Sequence, residues 1–478
     1  MKLCTDTNRF RRIASFCSAL AFACLLSLPA IGQEGGGEGG GEGGGDGGLG
    51  GFFPPPAGVD VDAAGVLRSR TVDPRLAQQR WMEARQRANA DDVMRPSKLR
   101  KVSLNRLEAA VAERISAGAP LSDEQVAMAG LTSVEYVFYY PDTKDIVLAG
   151  PAEGFVADGS DRFVGLQTRK PTLLLEDVVV ALRAFGPDGA PTPVISVSID
   201  PTQEGLQRMQ QFLQAVGGRA GRGDTARLVQ GLKNNLGLQN VSITGIPAAT
   251  HFACVLVEAD YRMKMIGIGL EQLPVPFKSY VARTTPANGG NAMQRWYFQP
   301  NYEGVSVSED RLAMRLKGSG VELVGEGERV MNDGQRVAAG RTNRASQGFC
   351  NDFTEKYDLI ADRVLVYAEL RQLIDLAISA AYIQEQDFYG QAEWSMPVLG
   401  DERKLPVERY TAPEKVETAV NAIWRGNTLM TPLGGGVQVQ PGLALRSDRV
   451  EVDASGDHKQ ALTTAGPNDL QPGQWWWD

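Results

Sequence analysis

Residues 240–267 read NVSITGIPAATHFACVLVEADYRMKMIG, and this stretch decides the fold. Its first part, residues 241–244, alternates apolar and polar side chains, which predicts a half-buried strand. Gly245 and Pro247 end that strand, and Thr250 is a good N-cap for the segment that follows. The stretch therefore predicts a strand, a turn and a helix.

The predicted helix is apolar on two opposite sides. At 3.6 residues per turn, one stripe consists of Phe252, Val255, Leu256, Ala259, Met263 and Ile266, and the other of Cys254, Val257, Tyr261 and Met265. The charged residues fall on the flanks, where Glu258 can pair with Arg262. Asp260 can pair with Lys264 in the same way. A helix with two apolar sides is normally enclosed in a domain, so we interpret it as a structural centre rather than a catalytic one.

The N-terminus has the pattern of a signal peptide. Lys2 and three arginines precede an apolar run over residues 13–28, and Ala30 and Gly32 suit a signal peptidase. A run of about 16 apolar residues is short against the roughly 20 that a membrane span needs. The pattern predicts cleavage after residue 32 and a soluble periplasmic or extracellular protein without a transmembrane anchor.

The chain is acidic, with 57 aspartates and glutamates against 49 lysines and arginines. Removal of the signal peptide would make it more acidic, because that segment holds four basic residues and a single acidic one. A nucleic-acid partner needs a clustered basic surface. We therefore expect no nucleic acid among its partners.

Residues 34–51 are rich in glycine, with an acidic residue at every fourth position. Such a sequence cannot form a core, so residues 33–72 are predicted to be a disordered tether. Residues 73–130 are predicted to be a helical segment, and residues 401–478 a mostly irregular or disordered tail.

Strand and helix patterns alternate over residues 131–273, which predicts an α/β domain. Residues 292–400 follow a boundary rich in Pro, Gly and Asn, and they are expected to pack on that domain. They predict an antiparallel meander and one long buried helix over residues 352–386. The predicted fold class is therefore α/β (mixed α+β): a mixed sheet with flanking helices, then an antiparallel meander and a long buried helix.

Several of these segments together resemble a family of secreted planctomycete proteins that carries only a domain-of-unknown-function label. The segments are YYPD at 139–142, AGPAEG at 149–154, SIDPT at 198–202, VLVEADYRMK at 255–264, WYFQPNY at 296–302 and FTEKY at 353–357. The resemblance covers roughly residues 130–385. It implies an extracytoplasmic location and one extended unit over that range, and it transfers no activity and no active-site residue.

Cys254 and Cys350 are the two cysteines outside the predicted signal peptide. Export would place both in an oxidising compartment, where disulfides form. We therefore predict a disulfide between them. The alternative is that Cys254 is a small core hydrophobe and Cys350 a solvent-facing thiol.

Histidine is scarce, with only His251 and His458 in the chain. No H-E-x-x-H, G-x-S-x-G or C-x-x-C motif occurs, and we expect neither a metal site nor a cofactor. His251 follows the predicted N-cap, where the positive helix end disfavours its charged form. It is either a neutral base or a hydrogen-bonded structural histidine. His458 lies in a polar tail and is given no role.

The loop GGRAGRGD at residues 217–224 offers Arg219 and Arg222 as candidate anion-binding residues. Glycines, two arginines and a following helix N-terminus can hold a phosphate or a carboxylate. The loop lacks the lysine and Ser/Thr order of a P-loop. The alternative is a flexible connection between helices.

Glu153 and Asp200 are the candidate catalytic acids. Glu153 lies between small residues after a predicted strand, and Asp200 ends another strand. Paired-acid hydrolysis needs a second carboxylate several ångströms away. A tight turn after the strand is the structural alternative for Glu153.

The composition favours a non-catalytic binding or scaffold protein of the cell envelope, with an envelope protein or polysaccharide as its partner. The alternative is a carboxylate-based hydrolase acting on an envelope polymer. A cleft with two acids within about 5–10 Å would favour the enzyme. A broad exposed apolar or aromatic surface would favour the binding protein.

Overall fold

The computed structural model describes residues 58–62, 64–69, 74–87, 92–158, 162–217, 221–285, 292–301, 304–318, 320–330, 336–338, 344–421, 423–425, 428–430 and 435–478. The predicted signal peptide and most of the predicted tether lie outside these residues. All described residues belong to one unit, Leu49–Asp478. Within them, no helix has the length and apolar character that a membrane crossing requires.

The strands, in chain order, are β1 (Val59–Val61), β2 (Val66–Ser69), β3 (Ser97–Ser103), β4 (Tyr136–Tyr140), β5 (Asp145–Ala152), β6 (Phe155–Ala157), β7 (Phe163–Gly165), β8 (Ile195–Pro201), β9 (Gln239–Thr244), β10 (Ala292–Asn301), β11 (Gly304–Val307), β12 (Ala313–Lys317), β13 (Gly320–Val330), β14 (Arg336–Ala338), β15 (Lys415–Val416), β16 (Ile423–Arg425), β17 (Thr428–Met430), β18 (Gly435–Val439), β19 (Val450–Val452) and β20 (Trp476–Trp477). The α-helices are α1 (Pro74–Arg87), α2 (Leu104–Ser116), α3 (Asp123–Val126), α4 (Leu175–Ala184), α5 (Gln203–Val216), α6 (Thr225–Leu236), α7 (His251–Gly267), α8 (Tyr280–Arg283), α9 (Arg344–Glu355), α10 (Tyr357–Ala361), α11 (Leu365–Glu385), α12 (Phe388–Gln391), α13 (Pro441–Ala444) and α14 (Asp457–Thr463).

Two large sheets organise the described residues. The nine-stranded sheet has the order β1-β2-β15-β9-β8-β18-β10-β13-β14, and the seven-stranded sheet has the order β19-β11-β12-β4-β5-β3-β20. Most pairs are antiparallel, while β10 with β18, β2 with β15 and β11 with β19 are parallel. The predicted mixed α/β fold class is therefore confirmed.

The strand, turn and helix predicted for residues 240–267 are present as β9 and α7. The Thr250 hydroxyl accepts a hydrogen bond from the Ala253 amide, as expected of an N-cap. Helix α7 contacts β8 and β18 of the nine-stranded sheet on one side and α4 and α11 on the other. Its charged flanks are buried as well, since Glu258 is 1% exposed and Asp260 is 0% exposed. The sequence places these two residues on the flanks between the apolar stripes but does not indicate that the flanks are buried.

The four strands of the predicted meander are present, but they form two antiparallel pairs in different sheets instead of one meander. Strand β10 pairs with β13 in the nine-stranded sheet, while β11 pairs with β12 in the seven-stranded sheet. The predicted long helix is likewise divided into α9, α10 and α11. The Tyr357 hydroxyl donates to the Tyr367 carbonyl at 2.8 Å, and this contact holds α10 against the start of α11.

Several segments expected to be irregular or purely helical contribute strands. Strands β1 and β2, within the predicted tether, pair with each other, and β2 also pairs with β15. Strand β3 lies within the predicted helical segment. In the predicted tail, β18 lies inside the nine-stranded sheet, between β8 and β10, and β20 pairs with β3. The C-terminal residue Asp478 is held in place by Arg100, whose buried guanidinium donates to the Asp478 carboxylate at 2.8 and 3.0 Å.

Candidate functional site

The nine-stranded sheet has one apolar face and one polar face. Val197, Phe298 and Val437 lie on the apolar face and are buried. Trp296, on the same face of β10, packs against Phe349 of α9 with ring centroids 4.7 Å apart. Because side chains alternate along a strand, the polar residues between these positions lie on the opposite face.

The strand register places a line of polar side chains across that opposite face. Gln299 pairs with Glu322, Gln438 with Ser196, and Ser196 with Thr244. Phe298 pairs with Val437 in parallel strands, which puts Gln299 level with Gln438. We call the line Glu322, Gln299, Gln438, Ser196 and Thr244 the polar row. It spans five adjacent strands, and its members are half-buried except for the exposed Thr244.

The polar row opens into a cavity of about 420 Å³ beside α13. Four of its lining residues carry amide side chains, and Glu322 and Arg449 also contribute. The amides are Gln299, Asn301, Gln438 and Gln440. We call this the amide cavity. An amide presents two N–H donors and a carbonyl acceptor, so the cavity suits a ligand with many hydroxyl groups.

A second cavity of about 590 Å³ shares Gln440 and Leu443 with the amide cavity. Its walls are mostly apolar and come from the loop after α4, the end of α11 and α13. We call it the apolar cavity. Both volumes lie in the range of small-molecule sites, roughly 300–1,000 Å³.

Glu153 stabilises a turn at residues 167–168 and does not line a cleft. Its buried carboxylate accepts hydrogen bonds from the Gln167 amide at 2.7 Å and from the amide and hydroxyl of Thr168. The structural alternative given for Glu153 therefore fits these contacts.

Asp200 lies on the polar face, at the end of β8. Arg295 Nη2 lies 3.5 Å from its Oδ1 atom. Glu326, which pairs with Arg295, lies on the same face three strands away, roughly 14 Å by strand spacing. Glu322, the acid of the polar row, is three strands and four residues away. With about 4.8 Å between strands and 3.3 Å per residue, Asp200 and Glu322 are roughly 19 Å apart. Both separations are too large for a paired-acid mechanism.

Asp260 is a second acid that interacts electrostatically with Asp200, and the sequence did not predict this interaction. Burial raises the pKa of Asp260 to about 6, and the charge of Asp200 contributes to the rise. Lys264 opposes the rise, with its Nζ atom 3.0 Å from Asp260 Oδ2. Asp260 nevertheless belongs to α7 and faces the apolar side of the sheet, with no exposed surface.

Anion binding by the two arginines of the loop before α6 stays a prediction. Arg219 lies outside the described residues. Arg222 begins a single 3-10 turn, Arg222–Asp224, and only its backbone is described. Among the described residues, no group of three His, Cys, Asp or Glu side chains is arranged to hold a metal ion.

The predicted disulfide is wrong, because Cys254 and Cys350 are both free and buried. Cys254 lies in the first turn of α7. The helix carrying Cys350 packs near the other end of α7, where Trp296 contacts both Gly267 and Phe349. At 1.5 Å per residue, the two ends of α7 are roughly 20 Å apart, far beyond disulfide reach.

His251 is buried and hydrogen-bonded, which fits the structural alternative rather than the neutral base. Its Nδ1 atom lies 2.9 Å from Asp177 Oδ2. Burial alone would lower the pKa of His251, but the charge of Asp177, its hydrogen bond and the charge of Glu176 raise that pKa to about 9. The positive N-terminus of α7 does not decide the charge of His251, because the Asp177 carboxylate of α4 lies beside the imidazole. Nothing in the sequence around Asp177 indicates that it faces His251.

Residues 197–280 match the family described as "Protein of unknown function (DUF1598)". The matched segment begins in β8, contains α7 and ends at the first residue of α8. A domain of unknown function is therefore present over this range. Comparison with curated proteins gave no match. Comparison with solved structures gave no match either.

Proposed function

We propose that this protein is a non-catalytic binding protein that holds a neutral polysaccharide on the polar face of its nine-stranded sheet. The polar row is the observation that carries this proposal. It aligns hydrogen-bonding side chains over five strands, uncharged except for Glu322 at one end, and leads into the amide cavity. A repeating chain of hydroxyl groups is the ligand that matches such a line.

The cellular location belongs to the same proposal. The signal-peptide pattern and the resemblance to secreted planctomycete proteins support export to the periplasm or the extracellular space. A neutral polysaccharide met there is a polymer of the cell envelope, such as a capsule or wall glycan.

A carboxylate-based hydrolase is the weaker proposal. Its candidate acids are not paired on the polar face, since Glu153 holds a turn and Asp200 lies roughly 19 Å from Glu322 by strand geometry. Glu322, the acid of the polar row, is therefore too far from Asp200 for the two carboxylates to act together on one bound ligand.

Affinity electrophoresis tests the binding function. The full chain without its signal peptide is run through gels that contain dextran, mannan or a soluble β-glucan, with dextran sulfate as a charged comparison. The wild type is expected to be retarded by at least one neutral polymer and less by dextran sulfate. The double variant Gln299→Leu/Gln438→Leu removes two amides from the polar row, and it should lose roughly tenfold in affinity.

Gln207→Leu is the matched control, because Gln207 is an exposed glutamine of α5 outside the polar row. It should be retarded like the wild type. Thermal unfolding of all variants checks that they fold alike. Retardation of the double variant equal to that of the wild type, or no retardation of the wild type by any neutral polymer, would contradict the proposal.

A further inference from the structure

We infer that the apolar cavity binds the hydrocarbon chain of an amphiphile whose neutral, hydroxylated head lies in the amide cavity. The inference rests on the proposed function for the head and goes beyond it for the chain. It makes the preferred ligand a glycolipid rather than a free glycan.

The two cavities are joined by shared walls. Gln440 and Leu443 line both: Gln440 is the N-cap of the one-turn helix α13, and Leu443 lies within that helix. Gln440 presents an amide and Leu443 an apolar side chain that is 44% exposed. A ligand that passes this point moves from hydrogen-bonding walls to apolar walls, which is the chemistry of an amphiphile.

The apolar cavity has rigid walls. Pro187, Pro191 and Pro193 fix the backbone of the loop after α4. Gln384 of α11 holds the same loop, because its Nε2 atom donates to the carbonyls of Gly186 at 2.6 Å and Gly189 at 3.0 Å. A cavity that is already formed costs little ordering when a ligand enters.

The polar groups of this cavity argue against a peptide as the occupant. The Gln384 amide is engaged by the loop, and the Thr192 hydroxyl donates to the Ala184 carbonyl at 2.8 Å. A peptide would bring backbone N–H and C=O groups that need partners when buried, whereas a hydrocarbon chain brings none. Glu385, at the end of α11, adds a negative charge beside the cavity and disfavours an anionic occupant.

Alkyl glucosides provide the probe. Binding of methyl, hexyl, octyl and decyl β-glucoside is measured by calorimetry below their micelle concentrations. For the wild type, affinity should rise about fourfold per added methylene, as expected for burial of a hydrocarbon. Decyl sulfate and decanoate should bind more weakly than decyl glucoside.

Gly442→Glu blocks the apolar cavity. Gly442 lines it, and a Cβ atom added there would meet no other atom within 4 Å, so the variant should fold. Decyl glucoside should then bind no more tightly than hexyl glucoside. Gly223→Glu is the matched control, because Gly223 is equally open and lies before α6, outside both cavities.

The outcomes separate this inference from the proposed function. Loss of the chain-length effect in Gly442→Glu alone supports the inference. An absent chain-length effect in the wild type, an unchanged effect in Gly442→Glu, or equal binding of decyl sulfate would overturn it. Polysaccharide retardation with no chain-length effect leaves only the proposed function standing. A chain-length effect abolished by Gly442→Glu without polysaccharide binding leaves only the apolar site standing.

Discussion

Glu258 Oε1 lies 3.3 Å from Arg262 Nη1, one turn further along α7. The sequence predicts this pair, but it does not predict that Glu258 also meets Arg162 at 3.3 Å through its other oxygen. Arg162 in turn binds Glu369 of α11 at 2.7 Å. The pair is therefore one part of a buried charge network that connects α7 to two distant segments.

Glu258→Gln is expected to destabilise the protein by about 3 kcal/mol, because it leaves buried Arg162 and half-buried Arg262 with less compensating charge. An exposed flank would have given less than about 1 kcal/mol. Urea unfolding of the variant measures the difference. Glu113→Gln, at an exposed position of α2, should change the free energy of unfolding by less than about 0.5 kcal/mol. Equal effects of the two substitutions would contradict the buried network.

Ala259→Asp is expected to cost several kcal/mol. Ala259 has no exposed surface and lies on the first apolar stripe of α7. The new carboxylate would therefore be buried among apolar side chains without a basic group to compensate its charge. Ala226→Asp, at an exposed position in the first turn of α6, is the matched control and should be close to neutral. If Ala259→Asp unfolded cooperatively at the same urea midpoint as the wild type, the first apolar stripe of α7 would not be enclosed.

The local signals of α7 explain why its existence was predictable and its charge network was not. Thr250, the apolar stripes and the i,i+4 pairs all act within one helix, so the sequence carries them. Arg162 is 96 positions before Glu258, and Glu369 is 207 positions after Arg162. No local pattern links such residues, because the tertiary fold alone brings them together.

The candidate site was hidden for a related reason. Each member of the polar row looks like an ordinary solvent-facing residue of an alternating strand. The row exists only because register aligns Gln299 with Gln438, although these residues are far apart in the chain. Strand β18 carries two glycines and no strong strand signal of its own, and its position is set by pairing with β8 and β10.

The ion pair of His251 with Asp177 should make stability depend on pH. The pKa of His251 rises to about 9 in the folded state, above the ordinary value near 6.5. The stabilisation is therefore fully present below about pH 6.5 and is lost as the pH rises through about 9. The free-energy gap between wild type and His251→Gln should shrink over that window.

His458→Gln provides the comparison for this pH series. Burial lowers the pKa of His458, so its imidazole is largely neutral in both states above about pH 7.5, one unit over the ordinary histidine value. The free-energy gap between wild type and His458→Gln should therefore stay nearly constant from about pH 7.5 to about pH 9. A constant gap for His251→Gln as well would show that His251 is not charged in the folded protein.

The N-terminus offers a test of export. Mass spectrometry of protein recovered from the envelope or the medium of the producing cell should find Gln33 as the first residue, because Ala30 and Gly32 suit a signal peptidase. Replacing Ala30 by Arg should block cleavage and leave a longer chain. An intact Met1 in exported wild-type protein would contradict the signal-peptide prediction.

The two cysteines should behave as inert thiols in the folded protein. Burial raises the pKa of both Cys254 and Cys350 to about 12, so little thiolate is present at pH 8. In protein that lacks residues 1–32, and without any reducing agent, Ellman's reagent should find almost no reactive thiol in the native state and two per chain after denaturation. Cys350→Ser should leave one thiol and a nearly unchanged melting temperature, because no covalent link is lost. Two unreactive cysteines in the denatured, unreduced chain would instead indicate a disulfide and contradict the separation of roughly 20 Å derived from the length of α7.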